Sequence, residues 1–263
     1  MTEQSRIMDE EVLKSAAHLI KTSTKIVVFT GAGISTESGI PDFRSPGGIW
    51  SRYNQDDLTY QKFRSDEKYR RIYWEYDRAR YPAMRDAVPN QAHNAVVEIE
   101  RAGCLLALIT QNIDGLHQKA GSDSHKIIEL HGTVREVNCL DCHTGWAREE
   151  ITDWMDREGV EVPYCPDCGG PLKCATIAFG QSLPADVLER SFAHARDCDL
   201  FLAIGSSLVV QPAAMLPLEA KRAGATLMLV NLSTTPYDQV MDMIIRGKAG
   251  TMMESIMGEF RKL

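Results

Sequence analysis

Five short apolar runs punctuate the chain, each ending in small or polar residues: Ile26–Thr30, Leu105–Thr110, Ile127–Leu130, Leu200–Ile204 and Thr226–Asn231. Their length and the turn residues that bound them predict buried strands. Between several of them apolar positions recur with the helical period, over Ala92–Ala102, Asp186–Ala195 and Pro212–Ala223. This alternation predicts an α/β fold on a parallel sheet, in which ligands gather at the C-terminal ends of the strands. Two stretches interrupt it. Pro46–Val88 is rich in Tyr, Arg and Asp and reads as loop plus helices, including Glu67–Arg80. Val134–Cys174 carries two pairs of cysteines. Both read as insertions that form a smaller module beside the sheet. The C-terminal MMESIMGEF reads as an amphipathic helix whose methionines pack inward.

With 263 residues the chain is long enough for one large domain or a large domain holding a small one. Its net charge of −7 argues against non-specific nucleic-acid binding. The first twenty residues have no basic n-region followed by an apolar core, and no run approaches membrane-spanning length, so no membrane association is expected. The expected compartment is cytoplasmic. Thiols stay reduced there, and the seven cysteines are not read as a disulfide framework.

Cys139-Leu140-Asp141-Cys142 and Cys165-Pro166-Asp167-Cys168 have the spacing of two zinc knuckles, with residues 143–164 between them. Four thiolates close a tetrahedral shell, so one structural Zn²⁺ is expected and no open catalytic position. Cys139 to His143 also matches the attachment pattern of a c-type haem. That reading needs export and leaves Cys165 and Cys168 without a role. Cys104, Cys174 and Cys198 sit among apolar residues and read as small buried hydrophobes.

The strand ends carry the remaining chemistry. Gln111, Asn112 and Asp114 follow Leu105–Thr110 and read equally as a polar site or as a turn in which Asp114 caps a helix starting near Leu116. Among the seven histidines only His131 sits at a strand end beside a glycine, in Leu130-His131-Gly132. Gly205-Ser206-Ser207 and Asn231 add backbone N–H groups and hydroxyls suited to phosphate and ribose. The first strand runs into GAGISTESGIPDFRS, which opens like a dinucleotide loop, but Thr36 stands where a third glycine or alanine belongs. No second strand delivers the acidic residue that a nicotinamide dehydrogenase needs. The loop offers instead Asp42, Phe43 and Arg44, where Phe43 could cover a flat ring and Arg44 hold a phosphate.

Taken in order, GAGIS…GIPDFRS, TQNID, LHG, the two cysteine pairs, GSSL and VN resemble the sirtuins, NAD-dependent protein-lysine deacylases, of the single-domain bacterial or archaeal type. The resemblance runs from about Ile26 to Asn231. It implies a Rossmann-type parallel-sheet domain (residues 1–45, 89–133 and 175–263) and a small domain made of a helical insert (46–88) and a zinc ribbon (134–174). It implies NAD⁺ as a co-substrate and an acyl-lysine protein or peptide as partner. Gly31, Ala32, Gly33, Thr36 and Arg44 are then expected on the pyrophosphate and nearby ribose, with Asp42 beside them. Phe43, Ile113 and Asp114 are expected around nicotinamide, and Gln111 and Asn112 on the ribose whose glycosidic bond breaks. Ser206, Ser207 and Asn231 are expected on the adenosine half. By the same resemblance His131 is the general base, with Asn112 and Asp114 as its catalytic companions. A peptide is expected as a strand between Phe179-Gly180 and Leu208-Val209-Val210.

The implied reaction cleaves NAD⁺ to nicotinamide and passes the acyl group to ADP-ribose. Mono-ADP-ribosyl transfer or NAD⁺ hydrolysis at the same site is the alternative. The chain departs from the family at Gln181, where Glu is usual, and at Cys174 and Ala178, which imply a wider acyl tunnel. Sirtuins that prefer acidic acyl groups share a Tyr-x-x-Arg pair. Here Arg80 falls at the arginine position and Asp77 at the tyrosine position, so weak activity on succinyl-lysine is expected. Tyr73 and Tyr76 read as packing residues of an amphipathic helix.

Overall fold

A computed structural model describes residues 3–42 and 53–263. In chain order its strands are β1 (Ile26–Thr30), β2 (Leu105–Thr110), β3 (Ile127–Glu129), β4 (Gly132–Cys139), β5 (Gly145–Ala147), β6 (Leu172–Thr176), β7 (Leu200–Ile204), β8 (Thr226–Asn231) and β9 (Met243–Arg246). The helices are α1 (Glu3–Thr22), α2 (Tyr60–Ser65), α3 (Glu67–Asp86), α4 (Gln91–Arg101), α5 (Leu116–Ala120), α6 (Arg148–Glu158), α7 (Ala185–Asp197), α8 (Leu216–Arg222) and α9 (Ala249–Phe260).

All five apolar runs enter one parallel six-stranded sheet of order β3-β2-β1-β7-β8-β9, the Rossmann-type sheet expected. The four inner strands are buried on both faces, which is why their runs are continuous rather than alternating. Alternate residues still serve opposite layers. Ile26, Val28, Leu108, Leu202 and Met228 pack with α1, α4 and α9 residues such as Ile20, Val96 and Met253. Val27, Phe29, Ile109, Phe201 and Leu229 face the other way, with Ala195 of α7 and Leu216 and Ala220 of α8. Met253 and Met257 are fully buried, as the C-terminal pattern predicts.

The register decides where the chemistry falls. Thr30 pairs with Thr110 on one side and Ile204 on the other, Thr110 with Glu129, and Ile204 with Val230. The strands therefore end level, and the residues just beyond Thr30, Thr110, Glu129, Ile204 and Val230 share one edge of the sheet.

The second sheet is antiparallel, of order β5-β4-β6. Helix α3 lies against it: Trp74 is buried, and its indole N–H donates to the Leu172 carbonyl at 3.1 Å. Arg64 of α2 pairs with Asp141 at 2.8 Å, and Arg71 and Arg78 of α3 pair with Glu161 and Asp156. The two insertions thus meet through one apolar core with a fringe of ion pairs around it.

Two sequence expectations need correction here, and one strand went unread. The helix over Glu67–Arg80 continues to Asp86, straight through Pro82. Proline loses a donor and crowds the preceding turn, a cost of about 3 kcal/mol, and buried Tyr81 and Met84 hold the extra turns to the core against it. The helix over Pro212–Ala223 is a short 3₁₀ turn, Ala213–Met215, followed by α8. Strand β9, half-buried and only four residues long, had no visible pattern.

Candidate active site

The level strand ends open onto a cleft with a cavity of about 620 Å³, a size suited to a nucleotide-sized ligand. Gly31, Ala32, Gly33, Thr36, Asp42, Gln111, Asn112, Ile113, Asp114, His131, Ser206, Ser207 and Asn231 all line it, as do Phe179, Gly180 and Val210. Leu208 and Val209 do not line this cavity. The Leu208 side chain is buried in the apolar layer behind β7, and Val209 is exposed outside the cavity. Phe43 and Arg44 lie outside the described residues.

The glycines of the first loop have a packing reason as well as a ligand one. The Gly33 N–H donates to the Gly205 carbonyl at 2.8 Å and the Gly31 N–H to the Ile204 carbonyl at 3.1 Å. A Cβ on either glycine would fall 2.8 Å from the Gly205 carbonyl oxygen, so only glycine lets the two loops touch. Thr36 closes this turn with its hydroxyl on the Gly33 carbonyl at 3.0 Å, which explains its place in an otherwise glycine position.

The QNID segment is tied down from three sides. Gln111 Nε2 donates to Ser206 Oγ at 2.8 Å, linking the ends of β2 and β7. Asn112 Nδ2 donates to Ser35 Oγ at 3.1 Å and to the Gly31 carbonyl at 3.2 Å. Ser35 in turn donates to Asp114 Oδ2 at 2.7 Å. The other Asp114 oxygen accepts the Leu116 N–H at 3.0 Å. Asp114 lines the cavity, and though the N-cap of α5 is Gly115, the Asp114 carboxylate still takes the first N–H of that helix. Burial pushes its pKa up, against the pull of those two hydrogen bonds. Ser35 joins Asn112 to Asp114, yet nothing but its place in GAGIS marked it in the sequence.

His131 stands opposite, its Nδ1 2.9 Å from the Gln111 carbonyl. A carbonyl can only accept, so Nδ1 carries the proton and Nε2 keeps its lone pair. Burial lowers the pKa of this imidazole, with the Gln111 carbonyl pulling the other way. Gly132, beside it, has φ +73°, and a Cβ there would drive into the Ala175 carbonyl. Gly132→Ala is expected to destabilise the fold by about 2–4 kcal/mol, from left-handed strain plus the clash, and to lower kcat by moving His131. A urea midpoint unchanged from the parent protein would contradict this.

The helical insert supplies a further wall: Tyr73 and Tyr76 pack in the apolar core of the insertions, as expected, and also reach the cavity. Tyr73, Tyr76 and Arg80 line the cavity, since positions i, i+3 and i+7 share one helix face. Asp77 sits just behind that wall, between Arg80 and Arg148. It is fully buried, 2.5 Å from the Arg148 guanidinium and 3.7 Å from that of Arg80, and it does not line the cavity. The Tyr76 hydroxyl accepts from Arg80 at 2.8 Å.

Away from the cleft, the sulfurs of Cys139, Cys142, Cys165 and Cys168 all lie within 4.8 Å of one another, with Cys139–Cys168 at 3.5 Å and Cys142–Cys165 at 3.7 Å. A tetrahedral zinc with Zn–S near 2.3 Å sets its sulfurs about 3.8 Å apart, so the four thiols fit that ion. The convergence of both pairs on one point leaves no place for the haem reading. Cys198 is buried in an apolar layer, as expected, whereas Cys104 is only half-buried and buried Cys174 accepts from the Arg148 guanidinium at 2.6 Å. Among the described residues no helix is long and apolar enough to cross a membrane.

Fold and cleft together define an α/β nucleotide-binding protein of the Rossmann type, with a cysteine-clamped module overhanging the ligand edge. The family model of the Sir2 family matches residues 31–212, and the chain belongs to that family. It is 43% identical over 244 residues to the NAD-dependent protein deacetylase of Rhodopseudomonas palustris, covering 91% of this chain and 94% of the relative. It is 41% identical over 258 residues to the NAD-dependent protein deacylase 2 of Archaeoglobus fulgidus, covering 97% of this chain and 98% of that one. Among solved structures, a Sir2 described with a p53 peptide and NAD⁺ superposes with a TM-score of 0.86 at 36% identity, covering 95% of this chain and 99% of that one. Another, described with a deacetylated p53 peptide and 3′-O-acetyl ADP-ribose, gives 0.87 at 37% identity, covering 94% and 98%.

Proposed function

We propose that the protein is an NAD⁺-dependent protein-lysine deacylase. It removes the acyl group from lysine and transfers it to ADP-ribose as nicotinamide leaves. The observation that carries this reading is that one cavity joins the Gly31–Gly33 loop, Ser206 and Asn231 to His131, Asn112 and Asp114, and reaches the Phe179-Gly180 edge. Nucleotide, base and peptide edge thus share one space. Curated relatives named as deacetylases and deacylases support it over nearly the whole chain.

Asn112 orients the ribose whose bond breaks, held by Ser35 and the Gly31 carbonyl so that it loses little freedom on binding. Phe43, Ile113 and Asp114 enclose nicotinamide. Gly31, Ala32, Gly33, Thr36 and Arg44 bind the pyrophosphate and nearby ribose, Gln111 joins Asn112 on the ribose whose bond breaks, and Ser206, Ser207 and Asn231 hold the adenosine half. His131 takes a proton at Nε2, the nitrogen left basic by the Gln111 carbonyl. The peptide adds as a strand to Phe179-Gly180 on one side and the backbone of Leu208–Val210 on the other. The domain division is 1–45, 89–133 and 175–263 against 46–88 and 134–174. Cys139, Cys142, Cys165 and Cys168 hold the structural zinc, which cross-links β4 to the turn before β6. All seven cysteines being free of disulfides suits a reducing cytoplasm.

The expectation of weak activity on acidic acyl groups depended on Asp77 facing the cleft, and it does not. The charge on that wall is Arg80, with Tyr73 and Tyr76 beside it. Succinyl-lysine peptides are therefore expected to be turned over. Arg80→Met should lower kcat/KM for them about 10- to 100-fold more than for acetyl-lysine, the worth of one charged hydrogen bond. Equal losses on both would remove Arg80 from acyl recognition.

The decisive assay incubates the protein with NAD⁺ and an acetyl-lysine peptide and reads every product by mass spectrometry. Matched loss of acetyl and gain of O-acetyl-ADP-ribose is the expected result. Free ADP-ribose or ADP-ribosylated peptide with the acetyl group intact would replace the reading by NAD⁺ hydrolysis or ADP-ribosyl transfer.

A further inference from the structure

Two buried histidines that take no part in the proposed chemistry lie directly behind the QNID segment. His93, in the first turn of α4, is fully buried, and His117 of α5 is 1% exposed. Their rings stand 4.9 Å apart, tilted by 60°. Each has one nitrogen in use. The Asn90 N–H donates to His93 Nδ1 at 3.3 Å. His117 Nε2 lies 3.0 Å from Thr30 Oγ1. Their other nitrogens, His93 Nε2 and His117 Nδ1, have no partner among the described residues. Neither does the hydroxyl of Ser122, on the turn whose N–H donates to the His117 carbonyl at 3.1 Å. Buried polar groups are rarely left unpaired.

The proton positions follow from the partners. A backbone N–H can only donate, so His93 Nδ1 holds a lone pair and Nε2 carries the hydrogen. Burial keeps this imidazole neutral, with a pKa lowered to about 4, and pushes His117 lower than usual as well. Further along, Thr30 Oγ1 donates to Thr110 Oγ1 at 2.8 Å, so it must accept from His117 Nε2–H. His117 Nδ1 is then an acceptor. The two orphaned nitrogens are a donor and an acceptor, and the Ser122 hydroxyl is a third polar partner. That is the set a single buried water satisfies.

We propose that one buried water joins His93 Nε2, His117 Nδ1 and Ser122 Oγ, and that the wire so completed makes His93 and His117 positioning residues for the QNID segment. The wire runs from the Asn90 N–H through His93, the water, His117 and Thr30 to Thr110 Oγ1, which also accepts the Asn112 N–H at 3.0 Å. At its other end Asn90 holds the first loop, its Nδ2 donating to the Ile34 carbonyl at 2.7 Å and to Ser38 Oγ at 3.0 Å. Its polarity fixes the backbone of Asn112 and thereby the Gln111 carbonyl that orients His131. The wire's role in catalysis depends on the roles proposed above for Asn112 and His131, while the wire itself does not.

The first test therefore needs no activity. ¹⁵N spectra of the imidazoles in the parent protein are expected to show both His93 and His117 neutral and protonated at Nε2 at neutral pH. A His117 protonated at Nδ1 would overturn the wire. The second test is a double-mutant cycle of His93→Phe and His117→Phe, which keep ring shape and delete the polar atoms. Each single variant should lower kcat by about tenfold or more while peptide KM holds, and the pair should be no worse than His117→Phe alone. Losses that multiply, or that appear only as lowered Tm with kcat intact, would reduce both residues to packing. If the Phe variants do not fold, the tautomers still decide. A parent protein without deacylase activity but with the expected tautomers would sink the proposed function and leave the wire standing.

Discussion

Replacing His131 with alanine is expected to lower kcat/KM for deacylation by about 10²- to 10⁴-fold, the usual worth of a positioned general base. NAD⁺ affinity should change little, because the segments proposed to hold the nucleotide keep their own bonds. Gln111 stays on Ser206 and Asn112 on Ser35. Isothermal calorimetry with NAD⁺ beside steady-state rates separates the two effects. The parent protein's pH profile carries the same assignment. The base works only when neutral, and burial lowers its pKa from the ordinary 6.5. Activity should therefore fall as pH drops through a midpoint below about 6.5, and stay level above it. A limb rising through pH 7 or above would mean that another group is the base.

Stripping the zinc is expected to abolish activity outright while leaving the large sheet folded. Structural zinc contributes about 10–16 kcal/mol in small zinc modules, comparable to the whole stability of a domain. The β4-β5-β6 sheet, with few strands and no large core of its own, cannot keep its shape without it. The damage reaches the cleft through specific bonds. The Tyr60 N–H donates to the Phe179 carbonyl at 2.9 Å, and Gln61 Nε2 to the Gly180 carbonyl at 2.8 Å. Tyr73, Tyr76 and Arg80 hang on α3, whose packing face is the ribbon. Cys142→Ser is expected to show the same loss, with zinc content falling well below one per chain and far-UV dichroism only partly reduced. Full activity in a zinc-free preparation would show that the ribbon is dispensable.

Much of this was legible in the sequence, for physical reasons that differ by region. The four inner strands of the parallel sheet are buried on both faces, so their runs are unbroken. These four, Ile26–Thr30, Leu105–Thr110, Leu200–Ile204 and Thr226–Asn231, were readable to the residue. The cleft residues followed because parallel strands put their loops on one edge. The ribbon strands were not legible. Residues such as Arg135, Glu136 and Asn138 of β4 belong to a small, half-exposed sheet whose shape is set by four thiols rather than by apolar pattern. The place of Asp77 was misread because a sequence offset fixes which residue aligns, not which way it points. Asp77 lies on α3 between cavity-lining Tyr73 and Arg80, but its carboxylate is drawn inward to the buried Arg148 guanidinium and does not reach the cavity. The coupling of Ser35 with Asn112 and Asp114 joins loops some 80 residues apart in the chain, and no local pattern announces it.

The order β3-β2-β1-β7-β8-β9 has a consequence for the birth of the molecule. β1 sits between β2 and β7, but its two partners leave the ribosome at very different times. β2 follows within about a third of the chain, whereas β7 ends at Ile204. At about 5–20 residues per second, the span from Thr30 to Ile204 takes roughly 10–35 s to make. Throughout that interval the Ile26–Phe29 edge is an unpaired, apolar strand margin, the kind that joins other chains. The residues proposed to bind the nucleotide stand directly beyond it, with Gly205 not yet made to pack against Gly31 and Gly33. The nascent chain is therefore most exposed to misassembly while its first loop is complete, and translation pausing or chaperone capture in that window should govern its yield more than the stability of the finished fold.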